Sequence, residues 1–395
     1  MSSRAIFHRF GLLALLVTAL PALCAQSWQI TTVDATGTVG SHGSLVVSAA
    51  GTPHIAYRDN PNGDLKYATY NGSVWSTATI LATDNQGENT SIQLDGSGRP
   101  AIAFRNSTTG NVSYGTYDGS SWSFQAVTSD GADSGSISLA FHGGLPAISH
   151  YPYPAADLRY SAFNGSTWST TTVAGTGDVG STSALAFTSG GLARIAYMDF
   201  TNKDLKFASF NGTSWSSEDV DTGNAQSWLS LGLDASNRPH IAYYDAPSVG
   251  TGQLKYATHN GTAWETFTVD NSAANTGLYA SLALDAAGRP HFAYLNNTSG
   301  DLMHAYYDGA TFLTETVDSA GNVGQWTDIA LDAAGGVHIS YYNYGLHDLK
   351  YAYLAPAAIP EPSTYAAIAG LLGLTLAATR RRRSPVSRSQ RRLRD

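Results

Sequence analysis

The sequence predicts an all-β fold, a seven-bladed β-propeller in which each blade has four strands. Three observations lead to this prediction: an aromatic residue recurs every 46 to 49 positions, each unit carries the same turn signals, and the last unit lacks its fourth strand. Four strands in a unit of about 47 residues, repeated seven times, are typical of propeller blades. The recurring aromatic residues are Trp28, Trp75, Trp122, Trp168, Trp215, Trp264 and Phe312.

Residues 1–25 form the first predicted element, a helical signal peptide. Arg4 and Arg9 precede an apolar run from Phe10 to Leu20, and the segment PALCA from Pro21 to Ala25 follows. This three-part layout is typical of secretory signals, so we expect the export machinery to recognise it and signal peptidase to cut after Ala25. A lipoprotein signal at Cys24 is the alternative, although Leu23 is bulkier than the residue that normally precedes a lipidated cysteine.

The body, residues 26–355, contains the repeat units, and each unit has four predicted strands separated by turns. The first strand alternates in polarity, as in SLALD from Ser281 to Asp285, and a D-x-x-G turn follows it. The second strand reads IAYYD or a close variant. The third strand ends at Asn-Gly or Asp-Gly, which is a strong signal for a β-hairpin. The fourth strand runs from the recurring aromatic residue to a Val or Ile five residues later.

The seventh unit predicts how the ring closes. Its first three strands extend from Asp328 to Leu354, but Ala355 and Pro356 stand where the hairpin and the fourth strand should follow. A matching segment, Trp28 to Asp34, precedes any first strand at the other end of the body. We expect this N-terminal strand to complete the last blade, which removes an exposed sheet edge. An open β-solenoid is the alternative, and it leaves the split unit unexplained.

Residues 356–395 form the third predicted region, with a motif at 359–364, an apolar segment at 365–379 and a basic end at 380–395. The apolar segment has 15 residues, which gives a helix of about 22 Å. A comfortable membrane span needs about 20 residues, so this helix is short for a permanent anchor. The arginines that follow it favour a cytoplasmic C-terminus with the body outside.

This tail resembles the PEP-CTERM sorting signal of Gram-negative bacteria. The residues that carry the resemblance are Pro360, Glu361, Pro362, Ser363 and Thr364, then the apolar helix, then Arg380, Arg381, Arg382 and Arg383. The resemblance covers about the last tenth of the chain, and the chain continues further past the basic cluster than is usual in the family.

The resemblance implies recognition by an exosortase, a membrane cysteine transpeptidase that cuts such tails. It implies a membrane-anchored intermediate with transient membrane association, followed by release to the cell surface or the extracellular matrix. A plain C-terminal membrane anchor is the alternative. The tail says nothing about a ligand, because the same signal is attached to unrelated proteins.

The charge of the body excludes one class of partner. The body keeps 12 of the 22 basic residues and 28 of the 30 acidic ones, so its net charge is about −16. Such a surface repels nucleic acid at long range, and we expect no nucleic-acid partner. Cys24 is the only cysteine, so disulfides cannot stabilise the mature protein.

Three aromatic residues are the first candidates for ligand binding. Alignment of the units places Trp228, Tyr279 and Trp326 of the last three blades at one position, two residues before the predicted innermost strand. There the other blades carry His42, Asn89, Gly135 and Thr182. Both tryptophans lie outside the recurring series. Rings at the mouth of the central channel can stack on sugars. The alternative is that they fill space beside longer loops.

Arg58 and Arg105 are the second candidates, since they occupy one position at the end of the second strand in adjacent blades. Two aligned guanidinium groups can hold a carboxylate or sulfate of a ligand. The two arginines stand beside Asp59 and Asn106. The alternative is an ordinary ion pair with a nearby aspartate.

The sequence predicts no catalytic residue, metal ligand or cofactor. Four histidines share one repeat position, so the ring holds them apart, and we expect them to be structural: His54, His240, His291 and His338. No P-loop, zinc motif, calcium loop or nucleophile elbow is present in the sequence.

These observations favour an exported cell-surface or extracellular-matrix propeller that binds polysaccharide. A secreted glycosidase or polysaccharide lyase is the alternative from another class, because propellers host such enzymes. A purely structural or protein-binding scaffold is the third possibility.

Overall fold

The computed structural model describes residues 26–129, 131, 133–248, 250–272 and 274–356. The predicted signal peptide and the predicted sorting tail lie outside the described residues. The described part contains 28 β-strands and no helix, and therefore no helix that could span a bilayer.

The strands group into seven four-stranded sheets, which we number as blades 1 to 7 in chain order. Blade 1 contains β2 Val39–Val47, β3 Pro53–Asp59, β4 Asp64–Tyr70 and β5 Trp75–Leu81. Blade 2 contains β6 Glu88–Leu94, β7 Pro100–Asn106, β8 Asn111–Tyr117 and β9 Trp122–Ala126. Blade 3 contains β10 Ser138–His142, β11 Leu145–His150, β12 Leu158–Phe163 and β13 Trp168–Ala174. Blade 4 contains β14 Val179–Phe187, β15 Ala193–Asp199, β16 Asp204–Phe210 and β17 Trp215–Asp221. Blade 5 contains β18 Ala225–Leu233, β19 Pro239–Asp245, β20 Gln253–His259 and β21 Trp264–Thr268. Blade 6 contains β22 Thr276–Leu284, β23 Pro290–Asn296, β24 Asp301–Tyr307 and β25 Phe312–Asp318. Blade 7 contains β26 Val323–Leu331, β27 Val337–Asn343, β28 Asp348–Leu354 and the N-terminal strand β1 Gln29–Asp34.

The N-terminal strand closes the ring as the split unit predicts. The seventh sheet has the order β1-β28-β27-β26, and β1 pairs antiparallel with β28 from Gln29 opposite Tyr353 to Asp34 opposite Leu349. Blade 7 also contacts blade 1 directly, because the backbone N–H of Leu45 donates to the Asp328 carboxylate at 2.7 Å. The predicted propeller with four-stranded blades is therefore confirmed, and the open solenoid is wrong.

The recurring tryptophans pack between blades. Trp75 of blade 1 lies with its ring centroid 4.9 Å from that of Tyr351 in blade 7, and Trp122 of blade 2 lies 5.4 Å from Tyr67 in blade 1. The second strand of each blade is the most buried. Its residues include five completely buried tyrosines: Tyr57, Tyr197, Tyr243, Tyr294 and Tyr341. Burial of these rings supplies the apolar contacts between blades.

The antiparallel register divides the turns between two faces of the ring. In blade 1, Val39 pairs with Asp59 and Val47 pairs with Pro53. The start of each first strand therefore lies on the same face as the turn between strands two and three, and we call this the channel-mouth face. The opposite face carries the turn between strands one and two together with the hairpin between strands three and four, such as Tyr70 to Trp75. We call it the hairpin face.

Candidate functional site

The three candidate aromatic residues lie inside the innermost strands and not before them. Strand β26 starts at Val323, and its pairing with β27 jumps from Gln325 opposite Tyr342 to Asp328 opposite Ser340, so that Trp326 sits in a bulge. The predicted placement two residues before the strand was wrong. A bulge adds a residue to one strand, interrupts the two-residue alternation, and hides the true strand start from the pattern.

The bulge turns the backbone into the left-handed region at these residues. The φ angles are 57° at Trp228, 56° at Tyr279 and 46° at Trp326, and His42 and Asn89 share this conformation at 52° and 51°. Five blades thus have the same bulge geometry. The bulge is a feature of the repeat, whereas the large aromatic side chains on it belong to particular blades.

The side chains on these bulges form a continuous row across four neighbouring blades, which we call the aromatic arc: Trp228, Tyr279, Trp326 and His42. The ring centroids lie 4.8 Å apart between Trp228 and Tyr279, 5.4 Å between Tyr279 and Trp326, and 5.1 Å between Trp326 and His42. Each ring is half-buried. The structure therefore brings the three predicted residues together and adds His42, whose place in the alignment was the only signal for it.

A tyrosine at the end of the second strand supports each tryptophan of the arc. Tyr244 meets Trp228 in a T-shaped contact at 5.8 Å, and Tyr342 meets Trp326 in the same way at 5.4 Å. The equivalent position holds Arg58 in blade 1 and Arg105 in blade 2. One repeat position therefore supplies tyrosines behind the arc in blades 5 and 7 and arginines in blades 1 and 2, next to the His42 end of the arc.

Hydrogen bonds extend the row beyond the arc. His42 Nδ1 lies 3.1 Å from Asn89 Oδ1, and Asn89 Nδ2 donates to the Gly135 carbonyl at 2.7 Å. Burial lowers the pKa of His42 although Glu88 raises it, so the ring is neutral near pH 7. With Asn89 Oδ1 accepting from Nδ1, Nε2 of His42 remains an acceptor.

The sequence alignment is off by one residue in blade 3. Leu185 N donates to Ser138 Oγ at 3.0 Å, as Ile92 N donates to Ser44 Oγ at 3.2 Å, which makes Ser138 the equivalent of Ser44. The position equivalent to the arc is therefore Ser136 and not Gly135. The reason is local, since β10 starts only at Ser138 and lacks the bulged beginning of the other first strands.

The first strands of all seven blades line a central channel of about 590 Å³. The three predicted aromatic residues are part of its lining. Asp328 is also part of it, and it stands where five of the other blades have serine and blade 4 has Ala184. Its carboxylate accepts hydrogen bonds from Ser44 Oγ at 3.1 Å, Ser281 Oγ at 2.8 Å and the backbone of Leu45 at 2.7 Å. Burial raises the pKa of Asp328 by more than these hydrogen bonds lower it, so its pKa is raised overall.

Arg58 and Arg105 bind a carboxylate, and it belongs to the chain itself. Glu88 Oε1 lies 2.8 Å from Arg58 Nη1, and Glu88 Oε2 lies 2.6 Å from Arg105 Nη1. The expected partner, a neighbouring aspartate, was wrong. Burial would raise the pKa of Glu88, but a hydrogen bond from Ser107 and the two guanidinium groups lower it overall. An anionic ligand at these arginines would have to displace an ionised glutamate.

A buried Ser-His-Asp chain was not predicted from the sequence. His150 Nδ1 lies 2.6 Å from Asp133 Oδ1, and His150 Nε2 lies 2.8 Å from Ser161 Oγ. This is the hydrogen-bond order of a catalytic triad. However, Ser161 and His150 are 0% exposed and Asp133 is 2% exposed, so no substrate can reach the serine. The chain is structural, with His150 at the position that holds Tyr57 in blade 1.

The four repeat histidines have separate partners. His54, His240 and His338 each lie within hydrogen-bond distance of a tyrosine hydroxyl on the next strand, while His291 Nδ1 lies 3.1 Å from His304 Nε2. Within the described ranges, no group of three or more metal-ligating side chains is present.

Comparisons with known proteins show the fold and no family. No protein-family model matches the chain, and no curated protein matches its sequence. An ulvan lyase from a new family of polysaccharide lyases, bound to -[GlcA(1-4)Rha3S]-, is similar in structure with a TM-score of 0.55 and 15% identity over 83% of this chain and 96% of that one. A second structure of an ulvan lyase from this new family has a TM-score of 0.54 and 14% identity over the same shares of the two chains. A protein of unknown function from Dyadobacter fermentans is similar with a TM-score of 0.50 and 12% identity, over 84% of this chain and 99% of that one.

Proposed function

We propose that the protein is an exported propeller of the cell surface or extracellular matrix that binds polysaccharide through the aromatic arc. The observation that carries this proposal is the row of four touching, half-buried rings at the channel mouth. Aromatic faces with polar edges suit the C–H faces and hydroxyl groups of sugars. A likeness of fold to a polysaccharide lyase is compatible with a carbohydrate ligand but does not identify it.

The packing that all blades share does not account for the arc. The recurring tryptophans already fill the spaces between blades, as the 4.9 Å contact of Trp75 with Tyr351 illustrates. Blade 2 has the same bulge with Asn89, which is a small polar residue suited to a left-handed backbone. Large rings at Trp228 and Trp326 are therefore not required for the bulge or for the ring of blades.

Binding is favoured over glycoside hydrolysis by the partners of the nearby carboxylates. A glycosidase needs two carboxyl groups facing the scissile bond, about 5 to 9.5 Å apart. Glu88 is held between two arginines, and Asp328 accepts hydrogen bonds from both neighbouring blades. Both groups thus have a structural role.

The route of export rests on the sequence. We propose that the signal peptide directs the chain across the inner membrane of a Gram-negative bacterium and that the PEP-CTERM tail holds it there until an exosortase cuts it. The test is a pulse-chase experiment in an exosortase-containing host, with mature masses read by mass spectrometry. We expect a second cleavage that is lost when residues 360–364 are deleted, and its persistence would contradict the sorting proposal.

The binding function is tested by retention of the full-length protein on a panel of extracellular polysaccharides and glycan arrays. Mass spectrometry of the same mixtures detects any released product. We expect retention without products. Released products would replace the binding proposal with a glycosidase or lyase, and the absence of both signals would favour the scaffold.

A further inference from the structure

A second cavity lies on the hairpin face, between blade 7 and blade 1. It has a volume of about 400 Å³ and is separate from the central channel, with which it shares no lining residue. Strands β1 and β28 of blade 7 form one wall, and the turns 50–53 and 70–72 of blade 1 form the other. Nothing in the proposed binding at the channel mouth involves this cavity.

A carboxylate without an arginine partner lines this cavity. Three other blades have an aspartate at the same turn, and each pairs with an arginine four residues later. The pairs are Asp95 with Arg99 at 2.9 Å, Asp234 with Arg238 at 2.6 Å and Asp285 with Arg289 at 2.7 Å. In blade 7 the aspartate is Asp332, and Gly336 replaces the arginine. The described residues that line the cavity include no lysine or arginine.

Gly336 removes a whole side chain as well as a positive charge, and its neighbours pack close to its backbone. A Cβ atom added at Gly336 would meet Asp332 Oδ2 at 2.5 Å and Tyr353 Cε2 at 2.9 Å. Tyr353 itself is unusual, because five of the other six blades carry a small residue there: Thr69, Thr116, Ala162, Ser209 and Thr258. Blade 6 has Tyr306 at this position together with the Asp285–Arg289 pair, so the missing arginine at Gly336, and not the tyrosine alone, distinguishes this corner of blade 7.

A chain of hydrogen bonds from Tyr351 through His338 to Asp332 holds the Asp332 carboxylate in place. The Tyr351 hydroxyl contacts His338 Nδ1, and His338 Nε2 lies 3.1 Å from Asp332 Oδ2. Burial raises the pKa of Tyr351 and lowers that of His338, so the tyrosine donates to a neutral ring, which donates to Asp332. Burial would raise the pKa of Asp332, but the backbone N–H of Gly336 and the His338 side chain lower it overall. Asp332 is therefore an ionised hydrogen-bond acceptor with a fixed orientation.

Aromatic rings stand around this acceptor. The Trp75 centroid lies 4.9 Å from that of Tyr351 and 5.3 Å from that of Tyr70, and the Tyr353 centroid lies 4.8 Å from that of His338. Amide and hydroxyl side chains complete the lining: Gln29, Thr31, Thr52 and Asn71. The cavity thus combines ring faces, a carboxylate and several neutral polar groups.

We propose that this cavity binds a single pyranose that carries no negative charge. Its volume is within the range of small-molecule sites, which is about 300 to 1,000 Å³. Asp332 accepts hydrogen bonds from sugar hydroxyls and repels uronic acids and sulfated sugars. The polar lining distinguishes the site from an aromatic cage for a quaternary ammonium ion, which needs no hydrogen-bonding groups. With sites on both faces, one ring can bridge two glycan chains.

The test uses saturation-transfer NMR and affinity titration of the full-length protein with methyl glucoside, methyl galactoside and methyl mannoside. Methyl glucuronide and choline serve as charged probes. The key variant combines Gly336→Arg with Tyr353→Thr, which gives this corner the residues that blade 5 has at Arg238 and Thr258. We expect at least a tenfold loss of affinity for the neutral glycoside that binds, with circular dichroism showing that the variant remains folded.

Two further variants separate the possible outcomes. Asp332→Asn keeps the shape of the side chain and removes its charge, and we expect at least a tenfold loss there even if the double variant misfolds. Trp228→Asn, on the other face, should leave binding at this cavity unchanged. The proposal is overturned if no neutral methyl glycoside binds, if only choline or the glucuronide binds, or if binding survives both the double variant and Asp332→Asn.

Discussion

Three large aromatic residues adopt a backbone conformation that such residues rarely take. Trp228, Tyr279 and Trp326 have φ angles of 57°, 56° and 46°. This conformation costs about 1–3 kcal/mol for a residue other than glycine. Asparagine tolerates it better, and Asn89 takes the same place in blade 2. The needs of the backbone therefore do not account for these rings.

A matched substitution follows from this comparison. Trp228→Asn and Trp326→Asn install the residue that blade 2 uses at the same bulge. Relief of backbone strain offsets the lost ring contacts, each worth about 0.5–1.5 kcal/mol. We expect the free energy of unfolding to change by less than about 1 kcal/mol, as measured by urea denaturation. A loss of several kcal/mol would instead assign these rings to packing.

Glu88 is the second informative single residue, because two arginines depend on it. Arg58 is 8% exposed, so Glu88→Gln leaves a nearly buried guanidinium group without its counter-ion. We expect a loss of about 2–3 kcal/mol in the free energy of unfolding. The control is Asp219→Asn, whose pair with Lys206 is exposed at the Asp219 side, with an expected change below about 1 kcal/mol. Equal effects would contradict the role of Glu88.

The sequence identified part of the candidate site because the repeat makes positions comparable. It placed the arc rings in register, and the glycine at Gly336 is visible where related turns have arginine. It did not reveal Glu88, since the arginines meet that residue from two different blades. Nor did it reveal the contact of His42 with Trp326, because only ring closure brings blades 7 and 1 together.

Strands two to four of blades 1 to 6 are predictable because consecutive strands are neighbours in those sheets. An Asn-Gly or Asp-Gly pair then determines both the hairpin and the pairing of its strands, as between Tyr70 and Trp75. The first strands are less predictable. Their bulges break the alternation, so that β26 starts at Val323 and not near Asp328.

The N-terminal strand stabilises the ring through one aspartate. Asp34 of β1 accepts from the Tyr57 hydroxyl at 2.7 Å and lies 2.6 Å from Lys66 Nζ, both in blade 1. Asp318 does the same between blades 6 and 7, with the Tyr341 hydroxyl at 2.6 Å. The closure of the ring therefore uses the same contact as an ordinary junction between blades.

This equivalence gives a prediction for the closing strand. Asp34→Ala leaves the nearly buried Lys66 unpaired, and we expect a loss of about 3 kcal/mol in the free energy of unfolding. Asp318→Ala at the ordinary junction is the matched variant and should have a similar effect. If Asp34→Ala is neutral while Asp318→Ala destabilises, the N-terminal strand does not hold the ring closed.

For the whole molecule, acidification should lower stability in two overlapping steps. Burial lowers the pKa of five histidines, to about 4 for His291, so protonation favours the unfolded chain as pH falls from about 6.5. Burial would raise the pKa of carboxyl groups such as Asp34 and Asp318, but hydrogen bonds and lysines lower it, so their contribution is lost below about pH 4. Asp328, with a raised pKa, opposes this trend.

The measurement is urea denaturation at pH 7.5, 5 and 3.5, with a continuous fall in stability as the expected result. His291→Gln is the control variant, and it should weaken the dependence between pH 7.5 and 5. Constant or rising stability on acidification to pH 5 would contradict the neutral, buried state of these histidines.

The two faces of the ring carry different chemistry, and the proposed polysaccharide site is at the channel mouth. The decisive measurement is the affinity of the full-length protein for the polysaccharide that it retains, compared between the natural chain, the Trp228→Asn and Trp326→Asn double variant, and Phe200→Ala. Phe200 is an exposed aromatic residue of blade 4 on the same face but outside the arc. We predict at least a tenfold loss of affinity in the double variant and none in Phe200→Ala. Unchanged affinity in a folded double variant would contradict the account.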